Sequence, residues 1–406
     1  MKKILYIHHA AGWGGPTNSL IKLINGLDKS KYKAEVLLLK NSMVADKLAE
    51  NGIKYRVAES KFYKKYYQFF AHSEAGYVKW YNIYGFAIQA ISWILSRYIF
   101  ARKELEKCEF DIVHLNSSVL TDWLAPAKEK GKVIIHVREP FRKGKLDIIH
   151  HFFKSLIIKY ADQIIAISQD NAIRIGIPTK TEVIYNYSEI PDNLPSKESY
   201  ASKKVLYLGG SSTSKGFYTL VDALDYLDTQ VKVYFGGKYV TNSKPKSLVQ
   251  YMRLYLSKQK KRNSAIRKIN NHPNAILIGL VHNTHDYFEE VSCLVSPFIV
   301  THFSRPVIEA HLHRKPAIGS DVEGMEEIIE HEINGLIVPR NNPRALADAI
   351  NGLTTDSQKT KLYGENGYNT AVIKYTSTNI LLFEILYDKL LLPYIYVNHN
   401  KRYLKS

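Results

Sequence analysis

At 406 residues the chain is long enough for two or three domains, each with its own core. Its composition is globular, and its two cysteines, Cys108 and Cys293, are too few and too far apart for a disulfide framework. The net charge of +18 predicts an anionic partner, namely phosphate ligands, nucleic acid or an anionic membrane surface.

The N-terminus combines a basic start with a short apolar run, which predicts a first β-strand rather than a signal peptide. The most apolar later stretch, residues 81–95, is interrupted by Asn82, Gln89 and Ser92. It falls short of the ~20 residues of a membrane span, so we expect no transmembrane helix.

Strand-like apolar runs alternate with helical patterns, which predicts parallel sheets built from βαβ units. In the first half, strands are predicted at residues 3–8, 34–39, 111–116, 133–137, 163–168 and 181–185. In the second half, they are predicted at residues 205–209, 231–236, 275–279, 293–296, 317–320 and 336–339. Most are continuous apolar runs, as expected for strands covered on both faces.

Residues 188–203 are rich in proline, serine and acidic residues, which makes them the best linker candidate. We therefore expect two α/β domains, at residues 1–196 and 203–375. Ligands bind such sheets beyond the carboxyl ends of the strands, so a cleft between the domains is the expected active site. An apolar helix predicted at residues 376–392 either packs back on the first domain or belongs to the second.

Two segments depart from this alternation of strands and helices. Residues 61–107 interleave aromatic residues with lysine and arginine, and residues 244–268 form a basic helix candidate with Tyr251 and Ile266 on an apolar stripe. Both compositions suit an anionic membrane or an acidic acceptor. For residues 244–268 we prefer an amphipathic helix packed on its sheet. For residues 61–107 both interpretations stay open, because aromatic residues beside lysines also suit a bilayer interface.

A glycine-rich loop containing Gly14 and Gly15 follows the first strand. Glycines let the backbone approach a ligand, and Thr17 is suited to the start of a helix. The loop is not a dinucleotide site, because Thr17 occupies the last glycine position of GxGxxG and no acidic residue ends the second strand. We expect a ligand-facing loop, and a glycine turn without a ligand is the alternative.

A buried strand ends in His136, Arg138 and Glu139. A polar group at the carboxyl end of a parallel strand is well placed for a cleft. Strand alternation puts His136 and Arg138 on one face and Glu139 on the other. A lone strand-end histidine is often only structural, but the two charged neighbours favour a functional role.

The first strand of the second half leads into Gly209, Gly210 and Ser211, followed by Lys215 at a helix start. Small residues before a lysine resemble a phosphate cradle, although the Walker A pattern is not matched. The sequence contains no HExxH, paired CxxC or DxD pattern, so we expect no metal.

Residues 294–339 are the most informative part of the chain. Ser304, Arg305 and Pro306 open a predicted helix, whose backbone N–H groups and positive dipole end suit a phosphate. Glu309 follows one turn later, within reach of hydroxyl groups on the same ligand. A phosphate beside a diol indicates a nucleotide.

Taken together, these motifs resemble the retaining, nucleotide-sugar-dependent glycosyltransferases of family four, over nearly the whole chain and most strongly over residues 204–350. The family's double-glycine loop matches Gly14 and Gly15, its strand-end histidine matches His136, and its KG loop matches residues 209–216. The long family stretch that begins with EA and ends with NGxLV matches residues 309–338. The resemblance implies the GT-B fold, two Rossmann-like domains facing a central cleft, with an acceptor domain followed by a donor domain.

The resemblance also implies roles for individual residues. Lys215 would bind the donor diphosphate, Glu309 would hold the ribose hydroxyls, and backbone N–H groups from Arg305 to Val307 would meet the phosphates. Gly14 and Gly15 would approach the donor, and His136 would contact its sugar. A metal-free site must neutralise the leaving diphosphate with cations and helix N-termini.

Two positions depart from the family pattern: Thr301 replaces the first glutamate of the family's glutamate pair, and Gly210 replaces the usual arginine. We therefore interpret Arg305, with His302 as a further candidate, as the replacement cation near the diphosphate. The first glutamate normally faces the donor sugar, so these departures leave open a nucleotide-binding, non-catalytic subunit.

The leading interpretation is a hexosyltransferase-type enzyme that moves a sugar from a nucleotide-diphosphate donor to a hydroxyl acceptor. The expected acceptor is a cell-surface polysaccharide or a lipid-linked saccharide, at the cytoplasmic face of the membrane, with an anionic membrane surface as a further partner. Nucleic acid is not an expected partner, because the chain has none of the known nucleic-acid-binding motifs.

Overall fold

The computed structural model of the protein describes residues 1–9, 12, 14–70, 82–141, 147–191, 197–239, 256–281 and 283–392. The chain divides into two compact units. The N-terminal unit comprises Met1–Asn186 with Ser377–Ser406, and the C-terminal unit comprises Tyr187–Thr376. The division therefore lies before the predicted linker, and the helix Lys197–Tyr200 within that linker belongs to the C-terminal unit.

The N-terminal unit is built on a seven-stranded parallel sheet with the strand order β3-β2-β1-β4-β5-β6-β7. Its strands are β1 (Lys2–His8), β2 (Tyr32–Leu38), β3 (Tyr55–Val57), β4 (Ile112–Leu115), β5 (Lys132–Val137), β6 (Gln163–Ala166) and β7 (Thr181–Val183). The central strands are apolar and buried along almost their whole length, as helices on both faces require.

The helices of this unit begin mostly at side chains that accept a hydrogen bond from the first turn, which satisfies donors that the helix itself cannot. Ser42, Asp147 and Ser168 are such caps. The α-helices are Gly15–Gly26, Met43–Glu50, Lys61–Lys65, Ile83–Leu95, Ala101–Leu105, Leu124–Lys128, Ile148–Tyr160, Gln169–Ile175 and Asn379–Leu391, and a π-helical turn, Ser96–Phe100, joins the fourth and fifth.

The C-terminal unit has a six-stranded parallel sheet with the order β10-β9-β8-β11-β12-β13. Its strands are β8 (Lys204–Tyr207), β9 (Lys232–Gly236), β10 (Ala275–Gly279), β11 (Cys293–Ser296), β12 (Ala317–Ser320) and β13 (Gly335–Val338). Its α-helices are Lys197–Tyr200, Phe217–Ala223, Leu256–Asn271, His285–Phe288, Arg305–Leu312, Pro343–Thr355 and Ser357–Lys374.

Every predicted strand is present, and the structure adds the edge strand β3. This strand has only three residues, all half-buried, so it carries no continuous apolar run. In the basic helix candidate, the described part begins at Leu256, and Ile266 is buried against the core of the C-terminal unit. Tyr251 lies outside the described residues.

The apolar segment at residues 81–95 is longer than the sequence indicated. Ile83–Leu105 forms one continuous helix of 23 residues, which by length and composition alone could cross a membrane. Only 22% of its most apolar stretch is buried. The π-helical turn Ser96–Phe100 lies within this helix, and its polar residues Ser96 and Arg97 are buried.

The helix Asn379–Leu391 packs on the N-terminal unit through polar contacts as well as apolar ones. The Tyr387 hydroxyl lies 2.9 Å from the Tyr6 hydroxyl and 2.9 Å from His114 Nδ1, and all three groups are buried. At the surface, Lys2 forms an ion pair with Asp388. The helix Asn379–Leu391 therefore packs beside β1, the first strand of the chain.

We predict that Tyr387→Phe lowers the free energy of unfolding of the N-terminal unit by about 1–3 kcal/mol, because it leaves the buried Tyr6 hydroxyl and His114 with one partner fewer. Urea denaturation measures the change. Tyr84→Phe is the matched control, since Tyr84 is exposed. Equal midpoints for Tyr387→Phe and the wild type would contradict the structural role of this hydroxyl.

Candidate active site

The candidate site of the C-terminal unit lies at the carboxyl ends of β8, β11 and β12, which are neighbours in the sheet. The loops that follow these strands are joined by hydrogen bonds. The Ile299 N–H, after β11, donates to the Ser214 carbonyl, after β8, at 3.0 Å. The Thr301 hydroxyl, also after β11, donates to Glu323 Oε2, after β12, at 2.9 Å. Three separate sequence motifs thus form one continuous surface.

The loop after β8 requires glycine at two places. Gly210 has a φ of +56°, and its N–H donates to the Gly236 carbonyl at 3.0 Å. Gly216 has a φ of +74°, and a Cβ atom there would lie 1.7 Å from the Pro297 carbonyl oxygen. The loop can therefore approach the end of β11 only with glycine at this position. Ser211 closes the turn by donating from its backbone N–H to the Lys238 carbonyl.

Lys215 lies in the short turn just before Gly216, on this surface. Its side chain is partly buried, and the loss of hydration lowers its pKa. No carboxylate of the described residues lies within ion-pair distance of its ammonium group. The proximity of this cation helps to lower the pKa of His302 to about 3, after the larger effect of burial. An ammonium group that is partly desolvated and has no counterion among the described residues is suited to binding an anion.

The helix Arg305–Leu312 begins beside Lys215's loop, but its first turn offers fewer backbone donors than the sequence indicated. Pro306 has no N–H, and the Val307 N–H donates to the Ser304 carbonyl at 3.1 Å. The Ser304 hydroxyl is buried against the Ser296 hydroxyl and does not cap the helix. Of the three backbone positions expected to meet the phosphates, Pro306 therefore offers no N–H and the Val307 N–H is already engaged within the chain.

Arg305 and Glu309 form an ion pair one helical turn apart, with a nitrogen–oxygen distance of 2.9 Å. The other oxygen of Glu309 accepts a longer bond of 3.4 Å from the Thr284 hydroxyl. Sequence reasoning assigned Arg305 to a diphosphate and Glu309 to a ribose as separate groups. The structure shows that the carboxylate also orients the guanidinium.

Glu323 is a site residue that the sequence reasoning missed. Its side chain is exposed, and besides the bond from Thr301 its backbone carbonyl accepts from the His302 N–H at 3.1 Å. Thr301 replaces the first glutamate of the family's pair, but the Glu323 carboxylate, from the loop after β12, lies beside Thr301. The sequence contained a signal for this residue. In the family stretch that resembles residues 309–338, two successive glycines stand where this chain has Glu323 and Gly324.

In the N-terminal unit, Gly14 and Gly15 lie at the start of the helix Gly15–Gly26. Gly14 is fully extended, and a Cβ atom on either glycine would meet no atom of the described part of the chain within 4 Å. The fold of this unit does not itself require glycine at these positions. Thr17, in the same helix, bonds to the Gly12 carbonyl and to His8 Nε2.

His136 is buried completely within the N-terminal unit, at the end of β5. Its Nδ1 lies 3.1 Å from His114 Nε2, and its ring packs on Phe383 of the C-terminal helix. Burial holds the pKa of His136 well below its ordinary value, so the ring is neutral. A direct contact with a donor sugar needs an accessible ring atom, and this ring has no exposed surface, so the geometry does not support the sugar contact.

Arg138, two residues after His136, belongs to a second set of buried polar contacts that sequence reasoning saw only in part. Arg138 donates from Nε to Asn116 and from a terminal nitrogen to Asn186, both at 2.9 Å. Asn116 in turn bonds to His8 Nδ1 at 2.9 Å. Burial lowers the pKa of Arg138 to about 10, so it stays charged at neutral pH. The polar residues end β1, β4 and β5, which are neighbours in the sheet.

Sequence comparison assigns both halves of the chain. Residues 13–187 match the family described as Glycosyltransferase Family 4, and residues 191–370 match the family described as Glycosyl transferases group 1. An uncharacterized glycosyltransferase of Methanocaldococcus jannaschii is 23% identical over 292 residues, which cover 69% of this chain and 75% of that protein.

Solved structures of similar fold include Alr3699/HepE of Anabaena in complex with UDP and glucose, with a TM-score of 0.71, 19% identity and coverage of 95% of this chain and 99% of that one. The lipopolysaccharide outer core galactosyltransferase WaaB has a TM-score of 0.60, with 17% identity and coverage of 92% and 99%.

Both halves of the chain thus carry glycosyltransferase domains. With two parallel-sheet α/β units, they define the chain as a glycosyltransferase of the GT-B fold.

The buried histidines predict a dependence of stability on pH. Burial holds the pKa of His8, His114 and His136 far below the value near 6.5 of an unfolded histidine. Below pH 6.5 the unfolded chain therefore binds more protons than the folded one. The contribution of these histidines to the free energy of unfolding is therefore fully present above pH 6.5. It falls as the pH falls, by about 1.4 kcal/mol per pH unit for each such histidine.

We expect the melting temperature to fall between pH 6.5 and pH 5, and His136→Gln to make this fall shallower. Differential scanning calorimetry across this range measures both. His151→Gln, at an exposed position, is the control for the loss of a histidine. If His136→Gln and the wild type showed the same slope, His136 would not contribute to it.

Proposed function

We propose that the protein is a retaining glycosyltransferase of family four that takes its sugar from a nucleoside diphosphate donor. The acceptor is a hydroxyl group on a cell-surface polysaccharide or glycolipid precursor, and the reaction takes place in the cytoplasm without a metal cofactor. A UDP-sugar is the first donor to test, because the similar Anabaena protein was solved with UDP and glucose. The lipopolysaccharide galactosyltransferase among the similar structures supports the acceptor class.

The observation that carries this proposal is the pair of cations at the carboxyl ends of β8 and β11. Lys215 is partly buried and has no carboxylate partner among the described residues, and Arg305 is oriented by Glu309. A diphosphate supplies an anionic partner for the Lys215 ammonium group. Charge-assisted hydrogen bonds from such groups are stronger than neutral ones, and stronger still where water is partly excluded.

In the proposed reaction, the bond between the sugar C1 and the diphosphate oxygen breaks, and the acceptor oxygen forms a bond to C1 on the same face. The proton of the acceptor hydroxyl leaves with the diphosphate. Because the bond from C1 breaks with its electron pair on the diphosphate, negative charge develops on the leaving oxygens, next to Lys215 and Arg305. Cations positioned in advance stabilise this charge more in the transition state than in the donor, which is the condition for faster turnover.

In this proposal, Glu309 and Glu323 bind different hydroxyl groups of the donor. Glu309 lies one turn into the helix, beside Arg305, and accepts hydrogen bonds from the ribose. Glu323 is exposed and oriented by Thr301, so its carboxylate accepts hydrogen bonds from the sugar. Carboxylates bind only as acceptors when ionised, which suits a diol and disfavours a direct contact with phosphate.

A thermal-shift panel of nucleotide sugars tests the donor class, since a ligand that binds only the folded state raises its melting temperature. We expect one nucleotide sugar to stabilise the protein more than its bare nucleotide does. Stabilisation by nucleotides without donor hydrolysis or transfer would favour the non-catalytic subunit. No stabilisation by any donor would contradict the proposed function.

We predict that Lys215→Ala lowers kcat for donor hydrolysis or transfer by about 100-fold or more, because one charge-stabilising group is lost. Its melting temperature should stay within a degree or two of the wild type, since the ammonium makes no ion pair with the described residues. Lys215→Arg should recover part of the activity. Lys361→Ala, at an exposed position of the same unit, is the control and should be fully active. Full activity of Lys215→Ala would rule out its role.

We also predict that Glu323→Gln raises the donor KM or lowers kcat by about tenfold, while the affinity for the bare nucleoside diphosphate stays the same. Thr301→Val should cause a smaller loss of the same kind, because the carboxylate remains but is no longer oriented. Glu326→Gln, in the same exposed turn, is the matched control. Equal weakening of nucleotide-sugar and bare nucleotide would show that Glu323 does not contact the sugar.

A further inference from the structure

The helix Ile83–Leu105 presents a continuous apolar stripe to solvent. Tyr84, Ile91, Ile94 and Tyr98 are 78%, 57%, 49% and 59% exposed. Their separations of seven, three and four residues place them on one side of a helix. Ala87 fills the gap in the stripe and is also exposed. Large apolar side chains are normally exposed singly, so a contiguous row indicates a binding surface.

The opposite side of the same helix is held to the N-terminal unit by polar contacts. The indole nitrogen of Trp93 donates to the Thr121 hydroxyl at 3.0 Å, and the Ser96 hydroxyl lies 2.7 Å from the Tyr63 hydroxyl. Near the end of the helix, the buried Glu104 pairs with Arg56 at 3.1 Å. Inserting the helix across a bilayer would break all three contacts and leave charged groups in hydrocarbon. The helix therefore stays on the unit, with its stripe facing outward.

A second helix also exposes apolar side chains. Ile148 and Phe152 are exposed on the helix Ile148–Tyr160, at a separation of one turn. The Phe152 ring lies 5.6 Å from the ring of Trp93, on the side of the first helix opposite the stripe. We call the four side chains Tyr84, Ile91, Ile94 and Tyr98 the apolar face.

Exposed lysines lie on a short helix that packs against the long helix. The short helix Lys61–Lys65 stacks on the long helix through Phe62 and Phe100, whose rings are 4.3 Å apart. Its lysines, Lys61, Lys64 and Lys65, are all exposed. Over residues 61–107 the sequence has eight Lys or Arg residues against three Glu residues. An apolar row with aromatic residues and flanking lysines matches the chemistry of an anionic bilayer surface, where each basic residue near the surface contributes about 1 kcal/mol.

We propose that the apolar face docks on an anionic lipid bilayer, with the helix Ile83–Leu105 lying in the plane of the membrane surface. The tyrosines and isoleucines enter the boundary between headgroups and acyl chains, as amphipathic interfacial helices do. The lysines of Lys61–Lys65 contact the anionic headgroups. This docking is separate from the proposed sugar transfer, because it can be measured without any donor or acceptor.

Flotation of the full-length protein with vesicles tests the proposal. We expect binding to vesicles of phosphatidylcholine with 30% phosphatidylglycerol (about one anionic lipid in three), at least tenfold weaker binding to pure phosphatidylcholine, and loss of binding at high salt. The double substitution Ile91→Glu with Ile94→Glu should reduce binding to anionic vesicles at least tenfold. Lys64→Glu with Lys65→Glu should reduce binding to anionic vesicles and leave binding to neutral ones unchanged.

Ile373→Glu is the matched control, because Ile373 is as exposed as the stripe residues but lies in the C-terminal unit. It should bind vesicles like the wild type. Circular dichroism melting of each variant separates lost binding from lost folding. Absence of vesicle binding by the wild type would overturn the proposal. Sedimentation showing a dimer that Ile91→Glu with Ile94→Glu converts to a monomer, with vesicle binding unaffected, would assign the face to a second copy instead.

Discussion

Parallel strands covered on both faces are the constraint on which the rest of this structure depends. Such strands must be apolar along their length, so polar chemistry is confined to the loops at their carboxyl ends. Each unit follows this rule by itself. In the C-terminal unit, the neighbouring strands β8, β11 and β12 lead to Lys215, Thr301 and Glu323. In the N-terminal unit, β1, β4 and β5 lead to a network of histidines, Asn116 and Arg138. The adjacency of strands, rather than the order of residues along the chain, decides which motifs meet.

The two sets of polar groups differ in their exposure, and this difference separates their roles. In the N-terminal unit, the His114–His136 pair and Arg138 are buried; the two rings bond to each other, and Arg138 bonds to Asn116 and Asn186. Desolvation keeps the histidines neutral, so the network can stabilise the fold without an external ion. In the C-terminal unit, Lys215 and Glu323 are at least partly exposed, and their charges are open to a ligand. Polar residues at the strand ends therefore stabilise the fold of the N-terminal unit, whereas those of the C-terminal unit are accessible to a ligand.

Much of the fold could be predicted from the sequence, since most of its strands are short apolar runs that alternate with helical patterns. The edge strand β3 could not, because three half-buried residues carry no periodic signal. Lys215, Arg305 and Glu309 could be found as single residues from their helix starts. Their interactions could not: the Arg305–Glu309 ion pair and the Thr301–Glu323 bond depend on side-chain directions and on loop geometry. The burial of His136 likewise depends on Phe383, which is far away in the chain.

The helix Ile83–Leu105 shows why composition alone could not decide between a core helix, a membrane span and a surface helix. All three need a long apolar sequence, and they differ in how the two sides of the helix are satisfied. Here one side holds Ser96 and Glu104 inside the unit, where a hydrogen bond and an ion pair compensate their burial. Arg97 is buried on aromatic rings, including that of Trp93. The other side leaves tyrosines and isoleucines in water, which costs free energy in proportion to their area. A helix that is polar where it is buried and apolar where it is exposed is stabilised when its exposed side contacts a lipid bilayer. The neighbouring lysines favour a bilayer with an anionic surface.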